Sequence, residues 1–144
     1  MKFPSETHER LNRLAGLWDT TITALNADGS AGAVSMASDI YTWMPNGQFL
    51  MHDVDAVMGS ERTQSSEIFA VDAAGHITSR SYDADGSMND FTATLDGSHY
   101  TITGETQRFS GAFSADGQKL EGRWEQHDGA NWLPFVSIVL LKKA

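Results

Sequence analysis

Six Asx-Gly pairs punctuate the chain, at Asp28-Gly29, Asn46-Gly47, Asp85-Gly86, Asp96-Gly97, Asp116-Gly117 and Asp128-Gly129. Such pairs accept the positive φ that tight hairpin turns require. Ala74-Gly75 is a seventh candidate turn. Between the turns lie segments rich in Thr, Val, Ile, Phe, Tyr and Trp, the residues that suit a pleated, half-buried surface. Strands are expected near 17–26, 34–44, 48–58, 64–72, 76–83, 88–95, 98–104, 107–115, 118–127 and 131–142. One short helix is expected at 5–14, with Ser5 as N-cap and Leu11 and Leu14 on its apolar face.

Strands joined in sequence by short turns pair antiparallel with their neighbours. A sheet of about ten such strands curls under its own twist, and closing it removes the exposed edges. The expected fold is therefore all-β: an antiparallel up-and-down barrel of about ten strands with one short N-terminal helix, forming a single domain over residues 1–144. The competing arrangement is a two-sheet sandwich, which Greek-key crossings would favour over simple hairpins. Ten strands leave more interior room than the eight that side chains or one small ligand just fill.

Register follows from counting residues across each turn, taking each as a two-residue loop. Around Asp116-Gly117, Phe113 faces Leu120, Gly111 faces Gly122 and Phe109 faces Trp124. Lys119, Glu121, Arg123 and Glu125 then share the opposite, solvated side, so the aromatic side points inward. Around Asp96-Gly97, Ala93 faces Tyr100 and Phe91 faces Ile102. Around Asp85-Gly86, Arg80 faces Phe91 and Tyr82 faces Asn89, which turns Arg80 and Tyr82 inward. A two-residue turn at Ala74-Gly75 places Phe69 opposite Arg80 and Glu67 opposite Tyr82. Around Asn46-Gly47, Trp43 faces Leu50, Tyr41 faces His52 and Asp39 faces Val54.

The expected interior is thus apolar around Phe91, Ile102, Phe109, Phe113, Leu120 and Trp124. It is polar around Asp39, Tyr41, His52, Glu67, Arg80 and Tyr82. Buried charge is costly unless paired or wetted, so the polar part is either a satisfied structural network or one side of a ligand cavity. His52 has the residue type of a general base or ligand anchor, with Tyr41 and Asp39 placed to orient it. An inward Arg80 could clamp a ligand carboxylate, or pair with Glu67. Trp43, Tyr100, Phe109 and Trp124 are candidate pocket walls, whereas Trp18 is expected to plug one barrel end.

Composition excludes several chemistries. There is no cysteine, so disulfides, thiol catalysis and thiolate metal sites are out. The formal net charge of −9, with no basic cluster except Lys142-Lys143, disfavours nucleic acid and anionic membranes as partners. No segment has the run of about 18 apolar residues that a membrane span needs. The opening MKFPSETHERLNRL lacks a secretory apolar run, which leads to the expectation of a cytoplasmic protein. The histidines at 8, 52, 76, 99 and 127 are not at ligand spacing, and no metal is expected. No nucleophile elbow, phosphate loop or calcium loop is present.

Leu14-Ala15-Gly16-Leu17-Trp18, a Gly-x-Trp entering the first strand after a short helix, resembles the opening of the calycin superfamily of lipocalin-like barrels. Trp43…Gly47-Gln48-Phe49-Leu50 and Trp124…Asp128-Gly129…Trp132 add to the likeness. The chain is most similar to a bacterial family of ten-stranded barrels of unknown function, related in architecture to nitrobindins and fatty-acid-binding proteins. The resemblance implies an internal pocket for a small apolar or amphipathic ligand and supplies no catalytic residues. A nitrobindin-like role would imply haem on a late histidine. His127 is the sole late candidate, and its parity follows the outward row, so no cofactor is expected.

Three functions remain open: a binding module; a barrel enzyme of isomerase, cyclase or decarboxylase type that uses His52 with Tyr41 or Asp39 for proton transfer; and a filled barrel acting by surface contacts. The run Phe135–Leu141 is apolar on both faces, and its outer side is expected to pack on the helix or on a second copy in a homodimer.

Overall fold

The computed structural model describes residues 2–143, so the end residues 1 and 144 of the expected domain lie outside the described residues. Helix α1 (Glu6–Leu11) and a 3-10 turn (Asn12–Leu14) precede ten strands. These are β1 (Gly16–Leu25), β2 (Ala31–Trp43), β3 (Leu50–Met58), β4 (Glu61–Val71), β5 (Ile77–Tyr82), β6 (Met88–Asp96), β7 (His99–Thr103), β8 (Gln107–Phe113), β9 (Lys119–His127) and β10 (Trp132–Lys142). Each strand pairs antiparallel with its sequence neighbours, and β1 pairs with β10 to close the barrel. The all-β, ten-stranded barrel with one short N-terminal helix is thus observed. No helix among the described residues is long and apolar enough to cross a membrane.

Ser5 caps α1, its hydroxyl accepting from the His8 amide. The helix lies across one barrel end. Thr7 donates to the Gly75 carbonyl in the β4–β5 turn, and Arg13 to the Gly97 carbonyl in the β6–β7 turn. Leu11 of the helix, with Leu14 and Trp18 beneath it, is fully buried, and the Trp18 indole N–H donates to the Leu14 carbonyl at 2.8 Å. Trp18 therefore plugs this end. Burying each such large apolar side chain contributes about 1.5–3 kcal/mol. Because the helix seals the end instead of flanking the wall, it leaves the outer side of β10 uncovered, and Leu141 there is exposed.

Turn length sets which face each side chain takes. The pairings across the β2–β3 and β8–β9 turns are those counted from sequence, although each turn spans four residues, 45–48 and 115–118. At β6–β7 the two-residue turn is Gly97-Ser98, which slides the register by two residues. Ala93 pairs with Ile102 and Leu95 with Tyr100, so faces are preserved. The β4–β5 and β5–β6 turns differ. Each takes three residues, 73–75 and 84–86, with Gly75 at φ 85° and Gly86 at φ 88°. This is the three-residue hairpin in which a glycine in the left-handed region follows a type I turn. The register moves by one residue at each, so Arg80 pairs with Ile68 and Asp90, and Tyr82 with Ser66 and Met88. Arg80 and Tyr82 consequently stand on the outer wall, and the inward expectation for them is corrected. The two slips cancel, so Glu67 and Phe91 keep their inward side.

On the opposite wall, Gly111 pairs with Gly122, and the Phe109 ring lies over both. A Cβ on Gly122 would fall 2.5 Å from Phe109 Cζ and 2.5 Å from the Ser110 carbonyl oxygen. Gly122→Ala is therefore expected to cost about 1–3 kcal/mol through overpacking. Urea unfolding followed by tryptophan fluorescence checks this, and an unchanged midpoint would show that the ring is not seated there.

Candidate functional site

Five neighbouring strands bring polar side chains to one place inside the barrel. The β2–β3 pairing sets Tyr41 directly opposite His52 and Asp39 opposite Val54. The β3–β4 pairing sets Glu67 opposite His52 on its other side. His52 Nε2 lies 2.6 Å from Asp39 Oδ1, and Nδ1 lies 3.0 Å from Glu67 Oε1. The imidazole thus bridges two carboxylates. Thr20 donates to the second oxygen of Asp39, and Ser79 to that of Glu67 at 2.8 Å. The Tyr41 ring stacks flat on the imidazole, with centroids 3.9 Å apart and planes 9° apart. The His52, Asp39 and Glu67 side chains retain only 12%, 9% and 15% exposure.

Two carboxylates in such a place would repel each other and lack solvation without a cation between them. His52 supplies it. Burial, the largest single influence, disfavours the imidazolium. The hydrogen bonds to Asp39 and Glu67 and their negative charge together outweigh it and push the His52 pKa up to about 9. At neutral pH the group is a carboxylate–imidazolium–carboxylate bridge with net charge −1. Both ring nitrogens are engaged, so His52 has no lone pair to offer as a base.

Beside the bridge, inside the barrel, lies a cavity of about 260 Å³. Asp39, Tyr41, His52 and Glu67 form its polar side. Ile22, Ala37, Tyr100, Ile102, Phe109, Leu120, Trp124, Ile138 and Leu140 supply most of the rest. Tyr100 is 2% exposed, and its hydroxyl has no hydrogen-bond partner. Burial, with the charge of Glu67 added, holds its pKa well above the usual phenol range. A second, more polar space of about 520 Å³ shares His52, Glu67, Gln107 and Trp124 with the cavity. It runs on to Asp83 in the β5–β6 turn and Glu105 in the β7–β8 turn. Those turns lie at the end opposite the helix, so this space is the mouth of the barrel.

Of the residues singled out from sequence, the structure brings Asp39, Tyr41, His52, Glu67, Tyr100, Phe109 and Trp124 together around one cavity. Phe91 borders the mouth, edge-on to Trp124. Trp43 belongs elsewhere. It sits under the helix at the closed end, against Phe3 and His8, with its indole N–H on Asn12. Arg80 pairs on the outer wall with Asp90 at 2.7 Å, and Tyr82 is exposed beside it. Among the described residues, Glu67 pairs with His52 and Ser79 and with no arginine. The sequence-based registers left out Ser79, which takes the inward position expected for Arg80, and Thr20, which pairs with Ala37 across the Asp28-Gly29 turn. Among the described residues, no group of three or more His, Asp or Glu is arranged to hold a metal ion.

The raised pKa of His52 fixes a sign for pH dependence. A group whose folded pKa lies above its unfolded value of about 6.5 stabilises the fold fully below that value. The contribution is lost as pH rises through about 9. Melting temperature is expected to fall across this window in the wild type. The step should be missing in His52→Gln, itself less stable by about 3–5 kcal/mol because two buried carboxylates lose their cation. NMR titration of the His52 ring gives the direct check: a midpoint near the ordinary histidine value would break the bridge as described.

No protein-family model and no curated protein matches the sequence. Solved structures do match in fold. Protein Rv2717c from M. tuberculosis aligns with TM-score 0.71 at 13% identity, over 97% of this chain and 99% of that one. The S-type phycobiliprotein lyase CPES from Guillardia theta aligns with TM-score 0.52 at 10% identity, over 100% and 99%. A redesigned β-barrel aligns with TM-score 0.50 at 12% identity, over 99% and 100%. At these identities the likeness is one of fold: a barrel of this architecture spans the whole of each chain.

Proposed function

We propose that this chain is a calycin-like, single-domain binding barrel that holds a small amphipathic molecule inside its wall. The observation that carries the reading is the cavity inside the barrel, apolar on most sides, with Asp39, His52 and Glu67 as its polar side. Small-molecule sites have this character: apolar walls with a few placed polar groups. The fold-level likeness to a phycobiliprotein lyase is in keeping with a barrel that handles a small organic molecule, as an analogy of architecture alone. Proton transfer at His52 is less well supported, since both ring nitrogens already face carboxylates.

Ala37 lines the cavity and is nearly buried, so Ala37→Phe fills the space from its wall. An environment-sensitive apolar fluorophore is expected to bind the wild type with one-to-one stoichiometry and to lose at least about tenfold in affinity on the filled variant. Circular dichroism confirms that the variant is folded. Equal binding to both proteins would place the fluorophore outside the barrel and remove the support for an interior site.

A further inference from the structure

Resting on the binding reading above, we propose that the molecule held in the cavity is cationic: an apolar body ending in an ammonium group. The charge around the cavity points this way. Two carboxylates and one imidazolium line it, and no lysine or arginine does. The imidazolium is not free to meet a ligand anion, because Asp39 and Glu67 occupy both its nitrogens. A ligand carboxylate would enter a site of net negative charge and find no cation. An ammonium group would find the reverse.

The polar atoms have matching capacity. Each Glu67 oxygen accepts one hydrogen bond, from His52 and from Ser79, and a carboxylate has room for about four. An ammonium carries only donors, so it complements the lone pairs that Glu67 leaves free on the cavity side. The Tyr100, Phe109 and Trp124 rings that line the same cavity add faces on which a cation is stabilised. The mouth repeats the sign. Asp83 and Glu105 border it together with Asp90, whose charge Arg80 meets from the outer wall, and no lysine or arginine lines it. A cleft of one sign with low-dielectric walls concentrates ions of the other.

The test is calorimetric titration of the wild-type protein at neutral pH and low salt with three probes of one shape: phenethylamine, phenethyl alcohol and hydrocinnamate. The amine is expected to bind tightest, at least about tenfold better than the alcohol, and the carboxylate weakest. Glu67→Gln should erase the preference for the amine while leaving alcohol affinity within about twofold. Asp39→Asn, which removes the other carboxylate on the cavity wall, should weaken the amine in the same direction and serves if the Glu67 variant does not fold. Binding of the alcohol or the carboxylate as tight as the amine overturns the charge assignment and leaves the binding reading standing. Failure of all three probes to bind the wild type overturns both.

Discussion

The ladder between β1 and β10 is the constraint on which the rest of the molecule depends. Seven residue pairs, from Trp18–Lys142 to Ala24–Val136, join the first strand to the last. Every other ladder connects strands adjacent in sequence. Without this one, the sheet would be an open meander with two long unpaired edges. Closure also makes an inside. Thr20 of β1 completes the hydrogen bonding of Asp39, and Ile138 and Leu140 of β10 face the same cavity. An open sheet would leave the bridge in water, where its charges would gain little from one another.

Inside the closed wall, the bridge shows how much charge an apolar interior tolerates. A lone buried carboxylate would take up a proton or disrupt its surroundings. Here two carboxylates share one imidazolium, and a hydroxyl satisfies the outer oxygen of each. Such a group is weak evidence for stability, because well-packed apolar residues often serve as well. It does pin five strands, β1 to β5, in one register, since a one-residue slip of β3 would take His52 to the outer wall. The flat stack of Tyr41 on the ring fixes the orientation of the imidazole between its partners.

The barrel, its strand count and most of the cavity were legible in the sequence because turn residues recur at hairpin spacing. The His52–Tyr41 and Phe109–Trp124 pairs came from counting across turns with an even number of residues. The error lay in β5. Asp72-Ala73-Ala74-Gly75 and Asp83-Ala84-Asp85-Gly86 are three-residue turns, and Asn26-Ala27-Asp28-Gly29 makes another of the same form. The leading Asx two residues before the x-Gly distinguishes them. Asp72 accepts from the Ala74 and His76 amides and so holds the wider loop. Asx-Gly alone carries no such information, since it also occurs where the turn has two or four residues. Arg80 was therefore placed beside Glu67 when Ser79 occupies that place. The Asp39 side of the histidine bridge was legible from the β2–β3 register, but the Glu67 side was not, because no Asx-Gly pair marks the β3–β4 turn across which Glu67 pairs with His52.

The helix that seals one end has a consequence for traffic. Thr7, Arg13 and the Asn12–Trp43 hydrogen bond tie it to three separate parts of the barrel, and Trp18 fills the space beneath. For a molecule held as proposed above, the sealed end leaves the opposite end for entry and exit, past the β5–β6 and β7–β8 turns that border the mouth. Substitutions in those turns would then act on how fast it comes and goes, and substitutions in the cavity wall on how tightly it is held.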